Sequence, residues 1–180
     1  MNVGREVAAA ALFASCSLAP AAAAAPKAGE IVQSDNLGMN LYSYDYNAKT
    51  TKTVSDRAEL SEFLGIHYFF ADGWRIGANV QFTERLTPAP PAGQGYFRTF
   101  AVLPQIGWHF YDPFFAALVL TLAPFIDGQQ TFVLGTQLVV GAGFTVASGV
   151  KISVALEVPW NFVGKTTIGL TPLAGVSFAF

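Results

Sequence analysis

The chain has 180 residues, a length that suits one domain. Charged residues make up 12% of it, against about 25% in an ordinary soluble domain, while 52% are hydrophobic and 14% aromatic. This composition is typical of a membrane protein, yet after residue 25 no apolar run reaches the roughly 18 residues of a spanning helix. Since only helices and closed barrels satisfy every backbone group in hydrocarbon, the composition predicts a β-barrel. A net charge of -2 without a basic run argues against a nucleic-acid partner.

Residues 1–25 have the pattern of a cleaved secretory signal peptide. A short start carrying Arg5 precedes an apolar stretch, and an Ala-rich stretch follows and ends at Ala25. These are the three parts of such a signal. Cleavage near residues 23–25 would remove Cys16, the one cysteine of the chain, and leave a mature protein without a thiol. Lipidation of Cys16 is an alternative, because residues 12–16 loosely resemble a lipobox.

Downstream of an expected N-terminal periplasmic segment at residues 26–36, apolar residues alternate with polar or small ones, as in β-strands. The alternation is clearest at residues 74–86, where Trp74 and Ile76 share one parity and Arg75 and Asn79 the other. The predicted strands are residues 37–46, 58–70, 74–86, 96–110, 114–126, 131–146, 150–160 and 167–180. Bacterial single-chain barrels have an even number of strands. We therefore predict an all-β fold, an eight-stranded antiparallel up-and-down transmembrane barrel over residues 37–180.

The connections between these segments alternate in length. Short turns rich in Gly, Asp and Pro occupy residues 71–73, 111–113 and 147–149, and longer links occupy residues 47–57, 87–95, 127–130 and 161–166. Since short turns face the periplasm in bacterial barrels, both termini are expected on that side. Aromatic residues flank both sets of connections, as interfacial belts require. Of the longer links, residues 47–57 form the candidate contact loop.

Prolines depart from the strand pattern. Pro104, Pro124, Pro159 and Pro172 lie inside predicted strands, where each removes a hydrogen-bond donor from the ladder. Bulges are expected to accommodate Pro124 and Pro159 near the outer rim. Pro104 and Pro172 lie in mid-strand, and the sequence gives no account of them.

The inward parity carries amides and charges of both signs. Eight strands enclose a lumen just wide enough for side chains to fill it, and buried charges must be paired or wetted. We therefore predict that ion pairs and amides plug the lumen, with a narrow gated path for a small solute as the alternative. The expected members of this network are Glu59, His67, Arg75, Gln81, Arg85, Arg98, Gln105, His109, Gln137, Lys151 and Glu157.

His67, Arg75 and His109 are expected near the periplasmic end of successive strands. Two histidines suggest a metal site or a general base, but a metal needs further ligands and no inward acid is evident at that depth. Packed, hydrogen-bonded histidines are predicted instead, with neither a metal nor a cofactor. A lipid-modifying enzyme would need its nucleophile and base at the outer interface, so no enzymatic activity is predicted. Glu62 and Glu84 on the lipid face are interpreted as head-group or loop contacts.

A soluble lipocalin-like barrel is the competing fold. Its apolar face would point inward, and Arg75, Arg98 and Lys151 would lie on a solvent face, whereas these charges suit a wet lumen better.

The C-terminal run of residues 175–180 resembles the last strand of Gram-negative outer-membrane proteins. Val176, Phe178 and Phe180 share one parity, and the chain ends on Phe. The resemblance implies that the outer-membrane assembly machinery recognises this strand and that outer-membrane lipids surround the barrel. The whole mature chain resembles the eight-stranded class that includes OmpX, OmpW and the OmpA membrane domain.

The predicted function is accordingly a structural or accessory role in the bacterial outer membrane, reached by export with the signal peptide. The alternative is a narrow channel or a lateral-diffusion path for small hydrophobic solutes, because residues 114–126 are apolar on their inward side as well.

Overall fold

A computed structural model describes residues 26–53, 58–87, 97–126, 133–163 and 166–180. Within these ranges no helix is long and apolar enough to span a membrane. The described chain forms the strands β1 (Ile31–Met39), β2 (Tyr42–Asp45), β3 (Thr50–Thr53), β4 (Ala58–Ala71), β5 (Trp74–Thr87), β6 (Phe97–Tyr111), β7 (Phe114–Ile126), β8 (Val133–Ala147), β9 (Val150–Val163) and β10 (Thr167–Ala179). The predicted signal peptide, with Cys16, lies outside the described residues.

The strands close into an eight-stranded antiparallel barrel, as the sequence predicts. β4 to β10 pair in chain order, and β1 joins the two ends because it pairs with β4 on one side and with β10 on the other. At this seam the amide of Ile31 donates to the carbonyl of Phe180 at 3.4 Å, and the amide of Phe180 donates back at 2.9 Å. The first and last strands of the barrel are therefore neighbours.

The first barrel strand differs from its prediction. β1 begins at Ile31 rather than at residue 37, so residues 31–36 belong to the barrel and not to an N-terminal periplasmic segment. The polar residues Gln33 and Asp35 hide the alternation there, because they take the outward parity that is apolar in the other strands. The strand is interrupted after Met39. β2 then resumes the pairing with the start of β10, and β3 returns beside β2 as a hairpin.

Exposure alternates along the strands and puts the apolar side chains outside. In β4 the inward residues Ser61, Phe63 and His67 are buried, whereas the outward Ile66 is 64% exposed. The same outward parity carries Leu138 in β8, which is 52% exposed. A soluble protein would bury such residues, so the orientation of the faces is that of a transmembrane barrel and opposite to that of a lipocalin-like one.

Each strand proline lies where the ladder is interrupted on one side. Pro104 pairs with Ala78 of β5, but the ladder from β6 to β7 has no pair between Val102–Leu122 and Gln105–Val119. Pro172 pairs with Leu156 of β9, and its other side faces the break between β1 and β2. The missing N–H groups therefore face gaps in the pairing, which explains the two mid-strand prolines.

The other two prolines follow the same rule. Pro159 pairs with Gln137 of β8, while the ladder from β9 to β10 skips from Glu157–Thr171 to Trp160–Ile168. Pro124 lies where the ladder between β6 and β7 shifts register.

One end of the barrel carries the short turns and is called the turn end; the opposite end is the loop end. The turns at Gly73 and Gly149 require φ of +75° and +71°, values that favour glycine. Trp74 and Trp108 stack on the outer wall of the turn end with ring centroids 5.4 Å apart. Residues 26–30 pack against this end, where Ala28 N donates to Asp72 Oδ1 at 2.9 Å.

The outward orientation of Leu138 predicts a depth-dependent cost for a charge. We expect Leu138→Arg to lower the free energy of unfolding in lipid vesicles by about 2–4 kcal/mol, since an arginine near the bilayer midplane is poorly solvated. Tyr111→Arg at the turn end should cost about 0–1 kcal/mol. Urea unfolding followed by tryptophan fluorescence measures both, and equal small effects would contradict the lipid-facing assignment.

Candidate functional site

The lumen contains two chambers. The loop-side chamber has a volume of about 180 Å³ and is lined by Glu59, Ser61, Gln81, Thr83 and Asn161, among others. The turn-side chamber has a volume of about 80 Å³, and its lining includes Ser34, His67, Arg75, Asn79, Gln105, His109 and Lys151. Both volumes are small, as expected for an eight-stranded barrel filled by side chains.

A partition of Phe63, Gln137 and Glu157 separates the chambers. These side chains line both cavities and are 2%, 4% and 3% exposed. They project from β4, β8 and β9, so they meet across the barrel. The partition is therefore the wall that the two cavities share.

Phe63 anchors the partition in an apolar cluster. It packs with Leu103, Val119 and Val133, and three alanines, Ala101, Ala117 and Ala123, complete the cluster. The inward Phe115, Ala117, Val119 and Thr121 of β7 are all buried, as the sequence indicated. The lumen is therefore apolar along part of its wall and not polar throughout. Sequence reasoning missed Phe63, although its parity with Ser61 and Gly65 places it inward.

Hydroxyls and an amide form a cluster in the loop-side chamber. Ser61 Oγ and Thr83 Oγ1 are 2.8 Å apart, and Gln81 Nε2 donates to both oxygens at 3.2 and 3.1 Å. Glu59 lines the same chamber and interacts with other residues. The side chains of Arg85 and Arg98 lie outside the described part of the structure. Of the predicted network, Gln81 and Glu59 line this chamber, together with Gln137 and Glu157 of the partition.

The turn-side chamber brings together the predicted histidines and Arg75. Gln105 Nε2 and His67 Nε2 are 2.8 Å apart. The His109 ring lies 5.4 Å from the rings of both Phe69 and Phe115. The Arg75 guanidinium carbon lies 5.2 Å from the centre of the Phe115 ring, a cation–π distance.

Two inward glycines provide the space for this packing. A Cβ at Gly107 would lie 2.7 Å from Arg75 Nε, and one at Gly141 would lie 2.8 Å from the end of the Phe115 ring. Both distances are closer than packed atoms tolerate, so a side chain at either position would displace the Arg75–Phe115 pair.

The expected ion pairs differ from what the described chain contains. No ion pair joins Arg75, Lys151 or Glu157 to another described side chain, although all three line the turn-side chamber. Arg75 Nε and His109 Nε2 are buried without a hydrogen-bond partner. Arg75 projects from β5, which lies across the barrel from β9 with Lys151 and Glu157, and neutral amides and aromatic rings line the same chamber.

The residues outside this lumen have the positions that the sequence indicated. Glu62 and Glu84 point outward and are exposed. Val176 pairs with Asp35 and Ile152, and Phe178 pairs with Gln33 and Val150, so the C-terminal strand is part of the seam. In the described ranges, no three His, Cys, Asp or Glu side chains come together as a metal site would need.

Comparisons with known proteins concern the fold. No protein-family model and no curated protein sequence matches the chain. Among solved structures, Neisserial surface protein A (NspA) is 16% identical with a TM-score of 0.60, over 85% of this chain and 98% of that one. Ail, the attachment invasion locus protein of Yersinia pestis, is 14% identical with a TM-score of 0.52, over 85% of this chain and 99% of that one. The chain has the fold of the eight-stranded outer-membrane β-barrels.

The partition predicts that a single truncation connects the chambers. We expect Phe63→Ala to give planar bilayers a steady small-ion conductance that the wild-type protein lacks, because the ring separates the two cavities. The substitution also costs about 3–5 kcal/mol of stability, so the folded fraction is checked first by gel mobility.

Phe70→Ala is the matched control, because Phe70 lies on the outer face of the same strand. A folded Phe63→Ala protein with no more conductance than this control would contradict the role of Phe63 in the partition.

Proposed function

We propose that this protein is an outer-membrane barrel with a structural or accessory role and a lumen closed to solutes. The observation that carries the proposal is the partition of Phe63, Gln137 and Glu157, which lines both chambers and is almost fully buried. A channel needs a continuous wetted path, and these side chains stand across it. The barrel then contributes a membrane-spanning wall and not a pore.

The outer membrane is the location that the aromatic belt and the outward apolar face support. Trp74, Trp108 and Phe110 cluster at the turn end, where indole and phenyl rings suit the lipid interface. The partners in this proposal are outer-membrane lipids and the assembly machinery, which would bind the C-terminal strand. Export would use the signal peptide at residues 1–25.

The described side chains also favour a role without catalysis. The hydroxyls of Ser61 and Thr83 bond each other and Gln81 in the loop-side chamber. His67 and His109 line the turn-side chamber, so the partition separates them from these hydroxyls. A nucleophile and a general base need direct contact, and these residues do not provide it.

The C-terminal Phe predicts a specific defect in assembly. We expect Phe180→Ala to lower the amount of the protein in the outer membrane several-fold, while refolding of the purified chain in detergent stays unchanged. Folded and unfolded forms are separated by comparing gel mobility with and without boiling.

Phe162→Ala is the control, since Phe162 is an exposed aromatic residue near the opposite end of the barrel. Equal outer-membrane levels of the two variants would contradict recognition of the C-terminal residue. The absence of any boiling-dependent shift in the wild type would contradict the barrel itself.

A lateral path for small hydrophobic solutes is the second candidate, and the β6–β7 seam favours it. On the outer wall, Pro104, Ile106 and Leu118 line a shallow apolar groove. Gln105 and Val119 line both this groove and the turn-side chamber. The paired residues Gln105 and Val119 therefore separate the groove from the chamber, beside the gap in the ladder at Pro104.

Restoring the missing donor tests the lateral path. We expect Pro104→Val to slow the entry of an apolar fluorescent probe into proteoliposomes several-fold, because a new N–H can pair with β7 and narrow the seam. Pro172→Val restores a donor at the other mid-strand proline and should leave the rate unchanged. Equal rates in all three proteins would exclude this function.

A further inference from the structure

We propose that the turn-side chamber binds a small anion between Arg75 and Lys151, of the size of chloride, nitrate or formate. This site goes beyond the proposed structural role, because a closed barrel wall needs no ligand.

The two cations share one small cavity. Arg75 on β5 and Lys151 on β9 both line the turn-side chamber. His109 lines the same cavity. An arginine side chain keeps its charge in a protein, whatever its surroundings. Two positive groups therefore face the same small space.

Arg75 and Lys151 have no carboxylate partner among the described side chains. Arg75 Nε is buried with no hydrogen-bond acceptor. Asp112 and Glu157 line the chamber as well, but the described chain forms no ion pair from Arg75 or Lys151 to either carboxylate. A buried donor without an acceptor destabilises the folded protein. A bound anion would supply acceptor atoms and balancing charge at the same place.

The groups around Arg75 leave its guanidinium without a hydrogen-bond acceptor. Phe115 holds the guanidinium from one side by its ring face. Gln105 Nε2 pairs with His67 Nε2, while Ser34 Oγ and Asn79 Oδ1 line the same chamber without a hydrogen-bond partner. None of these groups is hydrogen-bonded to Arg75, and an anion in the cavity would supply the acceptor that it lacks.

The volume limits the ligand. The chamber has a volume of about 80 Å³. A monatomic or planar three- or four-atom anion fits, and a sugar acid or a nucleotide does not. Part of this space lies beside Gly143, whose added Cβ would meet no atom within 4 Å.

Gly143 permits a steric test that leaves the charges in place. Gly143→Val should fill part of the chamber without a backbone clash, because the position is open and lies in a strand. Arg75→Gln removes the proposed anchor instead. Lys49→Gln is the charge-matched control, since Lys49 is an exposed lysine at the tip of the β2–β3 hairpin.

The experiment measures thermal unfolding of the full chain, refolded in detergent, in sodium nitrate and in sodium gluconate at constant ionic strength. We expect the midpoint to rise and to saturate as nitrate replaces gluconate, because gluconate is too large for the chamber. Lys49→Gln should keep this rise, and Arg75→Gln and Gly143→Val should lose it. Line broadening of chloride NMR signals by the folded wild type, reversed by nitrate, provides a direct measurement if a variant does not refold.

An unsaturable rise, or an equal rise in wild type, Arg75→Gln and Gly143→Val, would overturn the site and leave a chamber that holds only water. Chloride broadening that persists in Gly143→Val would have the same meaning. These results are independent of the closed-barrel function, which the conductance measurement tests separately.

Discussion

The whole structure depends on one constraint, the need to pair every backbone N–H and C=O group inside hydrocarbon. The pairing of β1 with β10 satisfies it by leaving the barrel without a free edge. The four strand prolines are consistent with this constraint, since each faces a gap or a register shift and interrupts the strand pairing on one side only. Even the break between β1 and β2 lies opposite Pro172, so two irregularities share one place in the ladder.

A second consequence of closure is a lumen so narrow that individual side chains decide what it contains. Phe63 is large enough to divide it, and Gly107 and Gly141 leave the space that Arg75 and Phe115 occupy. In such a space one side chain can contribute both to the closure of the lumen and to the lining of a chamber. Glu157 and Gln137 belong both to the partition and to the turn-side chamber, so a change in either affects closure and the chamber's polarity together.

The sequence predicted the barrel, its strand number and the direction of its faces, because alternation depends only on residue parity. Parity fails where outward residues are polar: Gln33 and Asp35 lie on the outward side between Ile31 and Leu37, so the start of β1 was missed. Parity also carries no information on how far an inward side chain reaches across the lumen. The inward positions of Arg75, Lys151 and Glu157 were predictable, but their lack of ion pairs was not, since it depends on depth and separation. The gap at Pro104 likewise depends on the register between β6 and β7.

The seam between Ile31 and Phe180 joins the first and the last strand of the barrel. A chain that stops before β10 therefore keeps two unpaired edges, on β1 and β9, however well its other strands have paired. Such edges promote pairing with other chains. The pairing of β10 with both β1 and β9 therefore removes the two remaining edges at once, and with them the surface on which a second chain could add.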